Sequence, residues 1–218
     1  MLIGHYGPAF MIKAIYKKVP LWRLFIAVQV PDIIWGILIL LGVEKSSIND
    51  ELSSNPLVLS YMPYSHGMLS TIIYSLIIVG ILLLFPYFKQ NKKTAWWLGA
   101  AVFSHWILDF ISHRPDLPII GNSMKVGLDL WNYPTLATII EIGIFLGGAI
   151  WYAISVKGFK KWAAWLFWGF VIIAIFASSF RGDAMGPNSV TSVALSALSF
   201  YAISTIIIYL VEKNEKCD

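Results

Sequence analysis

The sequence predicts an all-α membrane protein, a bundle of six transmembrane helices preceded by an N-terminal re-entrant half-helix. Of its 218 residues, 58% are hydrophobic and only 13% are charged, and the mean hydropathy is +0.71. These values lie far from those of soluble globular domains. Apolar runs long enough to cross a bilayer recur along the whole chain. Residues 1–218 are therefore predicted to form a single integral-membrane domain.

Six apolar runs mark the predicted spans. They cover about residues 21–43, 66–88, 95–113, 133–156, 162–180 and 190–211. The apolar stretch before them, within residues 4–17, is too short to cross and has no basic leader before it, so we expect neither a span nor a secretory signal there. We predict a half-helix that starts at the membrane surface near Lys17 and carries His5 toward the midplane. The alternative is a loose amphipathic helix at the interface.

The basic residues predict how the spans are oriented. Most of the 16 Lys and Arg residues fall on alternate loops and near both ends of the chain. Short cytoplasmic loops carry such an excess, so both termini are predicted to be cytoplasmic. The net charge of +4 then reflects topology, and nucleic-acid binding is not expected.

The most specific local signal is the segment SHWILDFISHRPDLP at residues 104–118. His105, Asp109 and His113 repeat there at i, i+4 and i+8, so they share one helix face. Ionisable groups inside a span are costly and mark candidate functional sites. Imidazole and carboxylate ligands favour Zn, with Mn or Fe as alternatives. The other interpretation is a hydrogen-bonded stripe that only holds helices together.

Depth within the bilayer brings two more carboxylates close to this stripe. At about 1.5 Å of rise per residue, Asp32 and Glu141 lie roughly 15 and 12 Å below the outer surface. Pro31, in QVPDIIWG, is expected to bend the first span and aim Asp32 at the other ligands. The alternative is a protonated Asp32 that bonds to the opened turn. Arg114 follows at the surface, where it either grips a phosphate or anchors the helix end.

Four segments, GHYGPAF, QVPDIIWG, YMPYSHGMLS and SHWILDFISHRPDLP, resemble in this order the bacterial membrane-bound metal-dependent hydrolase family of inner-membrane proteins. That family is distantly similar to zinc-dependent phospholipase C and the single-strand-specific zinc nucleases, helical enzymes that hydrolyse phosphoesters with His and Asp ligands. The resemblance implies a multi-pass inner-membrane protein. It also implies ligand positions at His5, Asp32, His66, His105 and Asp109.

The chain departs from the soluble relatives at their His-x-x-x-Glu pair, where Ala137 stands four residues before Glu141. One or two metal ions are therefore expected, not three. The full set of predicted metal ligands comprises His5, Asp32, His66, His105, Asp109 and His113.

The predicted function is hydrolysis of a phosphoester or related ester in a lipid or lipid-linked substrate, at a site open to the outer leaflet. Asp32 would bridge metals or act as general base, while Glu141 and Arg114 would orient ligands or the substrate's anionic group. Two other functions would use the same residues. One is transport of a metal ion or protons, and the other is a non-catalytic membrane protein with a structural polar core.

Overall fold

The computed structural model describes residues 2–49, 51–52, 55–156, 158–179 and 189–215. This part of the chain is mostly helical, as predicted. Its helices are α1 (Tyr6–Ile15), α2 (Leu21–Val28), α3 (Val30–Leu40), α4 (Met68–Leu83), α5 (Pro86–Gln90), α6 (Lys92–Ser112), α7 (Pro134–Ser155), α8 (Lys161–Ser179) and α9 (Val190–Glu212). An unpredicted antiparallel hairpin, β1 (Lys45–Ile48) and β2 (Leu57–Tyr61), joins α3 to α4, with Ser46 opposite Leu59.

The predicted count of six spans is not supported. Among the described residues, only α7, α8 and α9 are long and apolar enough to cross a membrane, and α2 with α3 adds a fourth crossing if that bent pair is one span. Helix α4 has 16 residues, which gives about 24 Å and falls short of roughly 30 Å of hydrocarbon. Helix α6 has 21 residues but is not apolar enough, since it contains Lys92, Lys93, His105 and Asp109.

The outer faces of α7, α8 and α9 are strongly apolar. Large side chains are exposed there, including Ile154 at 76% and Trp165 at 80%. Ile172, Phe176 and Ile206 are exposed in the same way. Contiguous apolar surface of this kind is rare on soluble monomers and needs a partner or a membrane. Together with the spanning helices it indicates a membrane protein.

Helix α1 lies in the interior of the bundle and not on its surface. Tyr6, Phe10 and Ile12 are buried along it, and Phe10 is fully enclosed. The ring of Phe10 contacts aromatic rings from three other helices, with centroids 5.1 Å from Phe25, 5.6 Å from Tyr152 and 5.9 Å from Phe167. Such aromatic pairs add to the free energy of area burial. The loose interfacial helix is therefore the wrong alternative for this segment.

The far end of α1 is fixed by a buried ion pair. Lys13 Nζ lies 2.6 Å from Glu212 Oε1 at the end of α9. Glu212 also accepts hydrogen bonds from the backbone N–H groups of Leu21 (2.8 Å) and Trp22 (3.3 Å), at the start of α2. The residue before α2 is Pro20, whose side chain makes no cap hydrogen bond. Glu212 therefore caps α2 from another helix and joins α1, α2 and α9.

Two glycines allow α1 and α7 to approach closely. A Cβ atom on Gly7 would lie 2.7 Å from the carbonyl oxygen of Ile144, and one on Gly148 would lie 2.7 Å from the carbonyl oxygen of Gly7. These contacts are to backbone atoms, which cannot rotate away. The small residues at the crossing thus fix the distance between the two helices.

We predict that Gly148→Ala destabilises the protein by about 1–3 kcal/mol, because the added methyl group forces α1 and α7 apart. The matched control is Gly147→Ala, one position along the same helix, where a Cβ would meet nothing within 4 Å. That change removes a helix glycine and is expected to leave stability unchanged or raise it by up to about 1 kcal/mol. Thermal unfolding in detergent checks both. Equal melting temperatures for the two variants would contradict the close α1–α7 contact.

Candidate metal centre

The break between α2 and α3 positions Asp32, the candidate ligand in the first turn of α3. The two helices meet at Gln29 with a bend of 49°, and Pro31 lies in the first turn of α3. A proline cannot continue the helical hydrogen-bond ladder, and the break leaves the Val28 carbonyl oxygen available. That oxygen lies 2.6 Å from Nδ1 of His105 on α6. The predicted bend at Pro31 is therefore present, and it also sets the orientation of His105.

Asp109 lies among the four imidazoles of the chain. Its Oδ1 is 3.2 Å from His5 Nε2 and 3.5 Å from His113 Nε2. Its Oδ2 is 3.0 Å from His105 Nε2 and 3.6 Å from His66 Nε2. All five side chains are almost fully buried. The helix spacing predicted in α6 thus brings two histidines to one carboxylate, and two other segments contribute the remaining pair.

Asp32 adds a second carboxylate on one side of this group. Its Oδ1 lies 3.1 Å from His66 Nε2 and 3.6 Å from His105 Nε2. Its Oδ2 accepts a hydrogen bond of 2.6 Å from the hydroxyl of Tyr201 on α9. The Asp32 side chain is 15% exposed, whereas the other five ligand side chains are at most 5% exposed. Asp32 is therefore the most exposed of the six predicted ligands.

Three of the imidazoles are oriented through Nδ1. The acceptor for His105 is the Val28 carbonyl, and for His113 it is Oδ1 of Asp116 at 2.9 Å. Neither group has a proton to donate, so each ring carries its hydrogen on Nδ1. Each Nε2 is then the nitrogen that faces the carboxylates. A fixed tautomer of this kind is typical of histidines that bind metals.

The third imidazole, His66, is oriented by a short relay. The Ser65 hydroxyl donates to Glu44 Oε2 at 2.5 Å, so it can only accept from His66 Nδ1, at 2.8 Å. Glu44 is itself buried, and its Oε1 also accepts from the backbone N–H of Ser65 at 2.9 Å. Nε2 of His66 is again left facing a carboxylate.

The donor set fits a small divalent ion. Two groups each place their ligand atoms within 4.8 Å of one another, namely His5 with His105 and Asp109, and Asp32 with His66 and His105. Ligand bonds of about 2.0–2.2 Å in a tetrahedron put the ligand atoms about 3.3–3.6 Å apart. The separations around Asp32 and Asp109 run from 3.0 to 3.6 Å. The upper part of this range is too long for a hydrogen bond.

Two buried nitrogens strengthen this interpretation. Within the described part of the chain, Nε2 of His5 and Nε2 of His105 lie 3.2 and 3.0 Å from Asp109 oxygens but form no hydrogen bond of good geometry. Buried polar atoms without partners are rare and costly, and they point to a missing ion or water. Two buried carboxylates also need compensating positive charge. A divalent cation between the imidazoles and carboxylates would meet both requirements, so these buried groups could hold a metal ion.

Glu141 contributes to the site through the backbone. Its Oε1 accepts from the N–H groups of Leu2 (2.5 Å), Ile3 (2.8 Å) and Gly4 (3.3 Å), in the turn that leads into α1. His5 follows this turn directly. Glu141 therefore holds the segment that places His5, and its side chain is bound to backbone atoms there. A catalytic role for Glu141 stays a prediction.

Arg114 lies at the edge of the cluster, next to His113. Its Nε donates to Asn132 Oδ1 at 3.1 Å and its Nη1 to the Asn55 carbonyl at 3.2 Å. The guanidinium also lies 5.6 Å from the ring centroid of Trp131, a cation–π contact. These contacts fit a structural role at the helix end. Phosphate binding by Arg114 stays a prediction.

Several residues that support the site were not predicted from the sequence. Asp116 lies three residues after His113, and Ser65 directly precedes His66, so both relations are visible as short spacings. Glu44 and Tyr201 reach the site only through tertiary packing, and no local pattern indicates them.

Comparisons of the chain with protein-family models, with curated proteins and with solved structures found no match.

We predict that Ser65→Ala weakens metal binding about 10–100-fold, because His66 loses the acceptor that fixes its ring. The matched control is Ser104→Ala, beside His105 on α6, whose hydroxyl donates only to its own helix at Ala101. That variant is expected to bind metal like the unchanged protein. Metal affinity is measured by competition with a chromogenic chelator. Equal losses in both variants would contradict an orienting role for Ser65.

Proposed function

We propose that this protein is a membrane-embedded, metal-dependent hydrolase that cleaves a phosphoester or related ester of a lipid or lipid-linked substrate. The proposal includes a bacterial inner-membrane location, cytoplasmic termini and a site on the outer-leaflet side. It rests on one observation above the others. Imidazole nitrogens whose tautomers are fixed converge on two carboxylates, the buried Asp109 and the partly exposed Asp32, at ligand-to-ligand distances. The resemblance of these segments to bacterial membrane-bound metal-dependent hydrolases agrees with it.

A proton network alone is the weaker explanation of the cluster. Hydrogen bonds would require protonation of several rings at Nε2. His66 forms one such bond, to Asp32 Oδ1 at 3.1 Å, but Nε2 of His105 has no partner with hydrogen-bond geometry among the described residues. A purely structural cluster would also bury all its polar groups. Here the Asp32 side chain is 15% exposed, whereas the neighbouring His66 and His105 side chains are at most 5% exposed. A substrate needs an exposed group of this kind in order to reach the site.

The bound ion, Asp32 and Tyr201 would have different roles in the proposed hydrolysis. A bound divalent ion, for which we propose Zn with Mn or Fe as alternatives, supplies Lewis acidity and makes water easier to deprotonate. Asp32 lies at the exposed edge, where its carboxylate would take the proton of an attacking water and return it to the leaving alcohol. Tyr201 holds Oδ2 of Asp32. The bond from the water oxygen to phosphorus forms as the bond from phosphorus to the alcohol oxygen breaks. The net reaction is hydrolysis, the addition of water across the ester bond.

The geometry favours one tightly held ion. Both candidate groups contain His105, and its Nδ1 is already engaged by Val28. A single free nitrogen can bind only one ion, so the two groups cannot both be filled through His105. We assign the first ion to Asp32, His66 and His105. A second, weaker ion would rest on His5 and Oδ1 of Asp109.

Transport through the same cluster is less well supported. A relay across the membrane needs polar groups on both sides of the site. On the inner side lie Phe10, Phe25 and Phe167, which are fully buried. Phe10 follows His5 by five residues, or about 7 Å along α1. This aromatic layer separates the cluster from the lysine-rich end of the bundle.

We expect the purified protein to contain about one divalent metal ion per chain, and chelation to abolish hydrolysis of phosphorylated lipids. Re-addition of the metal should restore the activity. Metal content is measured by mass spectrometry and turnover by release of the product headgroup. Metal uptake into proteoliposomes without hydrolysis would instead identify a transporter.

Asp32→Asn should lower turnover by about 10²–10⁴-fold while the protein stays folded, because it removes the proposed acid–base group, which is also a proposed metal ligand. Glu51→Gln is the control, because Glu51 is an exposed carboxylate in the segment between β1 and β2. It should retain full activity and the same melting temperature. A rate for Asp32→Asn that equals the control's would exclude Asp32 from the reaction.

A further inference from the structure

A basic cleft lies at the end of the bundle away from the metal centre. It forms where the turn after α1 meets α5 and the start of α6. Its lining comprises Tyr16, Lys18, Lys89, Gln90, Asn91, Lys92 and Lys93, and its volume is about 490 Å³. None of these residues carries a carboxylate. Lys92 precedes His105 by 13 residues, which places the cleft about 20 Å along α6 from the cluster.

The four lysines of the cleft are uncompensated. Each is exposed, and in the described part of the chain none forms an ion pair or a side-chain hydrogen bond. Lys13, at the same end, is paired with Glu212. The bundle thus neutralises the lysine that it buries and leaves four like charges around one concave surface. Such a surface attracts anions.

The first turn of α6 adds to this positive potential. Its cap residue Asn91 makes no cap hydrogen bond, and its amide donates back to the Tyr87 carbonyl at 3.0 Å. The first turn has no acidic residue, and its first two positions are Lys92 and Lys93. Cations at a helix N-terminus oppose the helix dipole. An anion bound here would relieve that repulsion and accept hydrogen bonds from the lysines.

The rim of the cleft continues into apolar surface. Leu84 is 72% exposed, and Phe85, Tyr87 and Ile15 are also exposed. Ile15 directly precedes Tyr16, and the other three lie two to five residues before Lys89. An anion that sits in the cleft with acyl chains beside it would match both surfaces. A soluble phosphate compound would use only the basic part.

We propose that this cleft binds the phosphate of an anionic phospholipid headgroup, at the membrane surface opposite the metal centre. The lysines hold the phosphate, and the apolar rim contacts the acyl chains. Basic pockets between helices at the cytoplasmic surface recognise anionic lipids in this way. The site is separate from the metal centre and does not depend on hydrolysis.

The test uses the full-length protein in neutral detergent and short-chain phosphatidylglycerol. Phosphatidylcholine, which has the same phosphate but no net charge, is the comparison. The variant Lys92→Gln/Lys93→Gln should bind phosphatidylglycerol about 25-fold more weakly, since one basic side chain at an anionic surface contributes about fivefold. Lys45→Gln/Lys125→Gln makes the same charge change near the hairpin and should bind like the unchanged protein. Affinities are measured by native mass spectrometry, and melting temperatures confirm that each variant is folded.

Three results would overturn the proposal. The first is equal affinity of both double variants for phosphatidylglycerol, and the second is equal affinity of the unchanged protein for phosphatidylcholine. The third is inorganic phosphate that competes as strongly as the lipid, which would assign the cleft to a soluble phosphate compound. Metal content should be the same in all variants. A failure of the hydrolase proposal would leave these outcomes unchanged.

Discussion

Helix α1 begins in the interior of the protein, and the backbone N–H groups of the turn that precedes it need acceptors. Water cannot supply them at a buried position, so their burial without partners would cost free energy for each group. Glu141 accepts from three of these N–H groups through one oxygen. This interaction lets a ten-residue helix start beside the metal centre. Without it, the turn that places His5 next to Asp109 would lose its hydrogen-bond acceptor on α7.

Local periodicity accounts for the part of the site that could be predicted from the sequence. His105, Asp109 and His113 share a helix face at any depth, and Pro31 bends a helix in any bundle. Both features depend only on nearby residues, and both are present in the structure. Glu44 and Tyr201 are different, because their contacts join residues that are distant in sequence. A single sequence contains no signal for such pairs.

The number of spans was overestimated for a related reason. A hydropathy window counts apolar side chains but does not detect where the backbone stops being helical. The run at 66–88 contains the end of α4 at Leu83 and a new helix from Pro86, which shortens the continuous helix. In α6, many apolar residues face protein and not lipid. Composition therefore identified the class of protein, whereas the division into helices required tertiary structure.

The hydrogen bond between the Val28 carbonyl and His105 would couple the helix bend to binding of the proposed metal ion. The carbonyl is available only because α2 and α3 are broken at Gln29, and it fixes the ring that both candidate ligand groups share. Linkage is reciprocal, so an ion that binds the bent form more tightly also stabilises the bend by the same free energy. The angle between α2 and α3 is then a physical readout of occupancy.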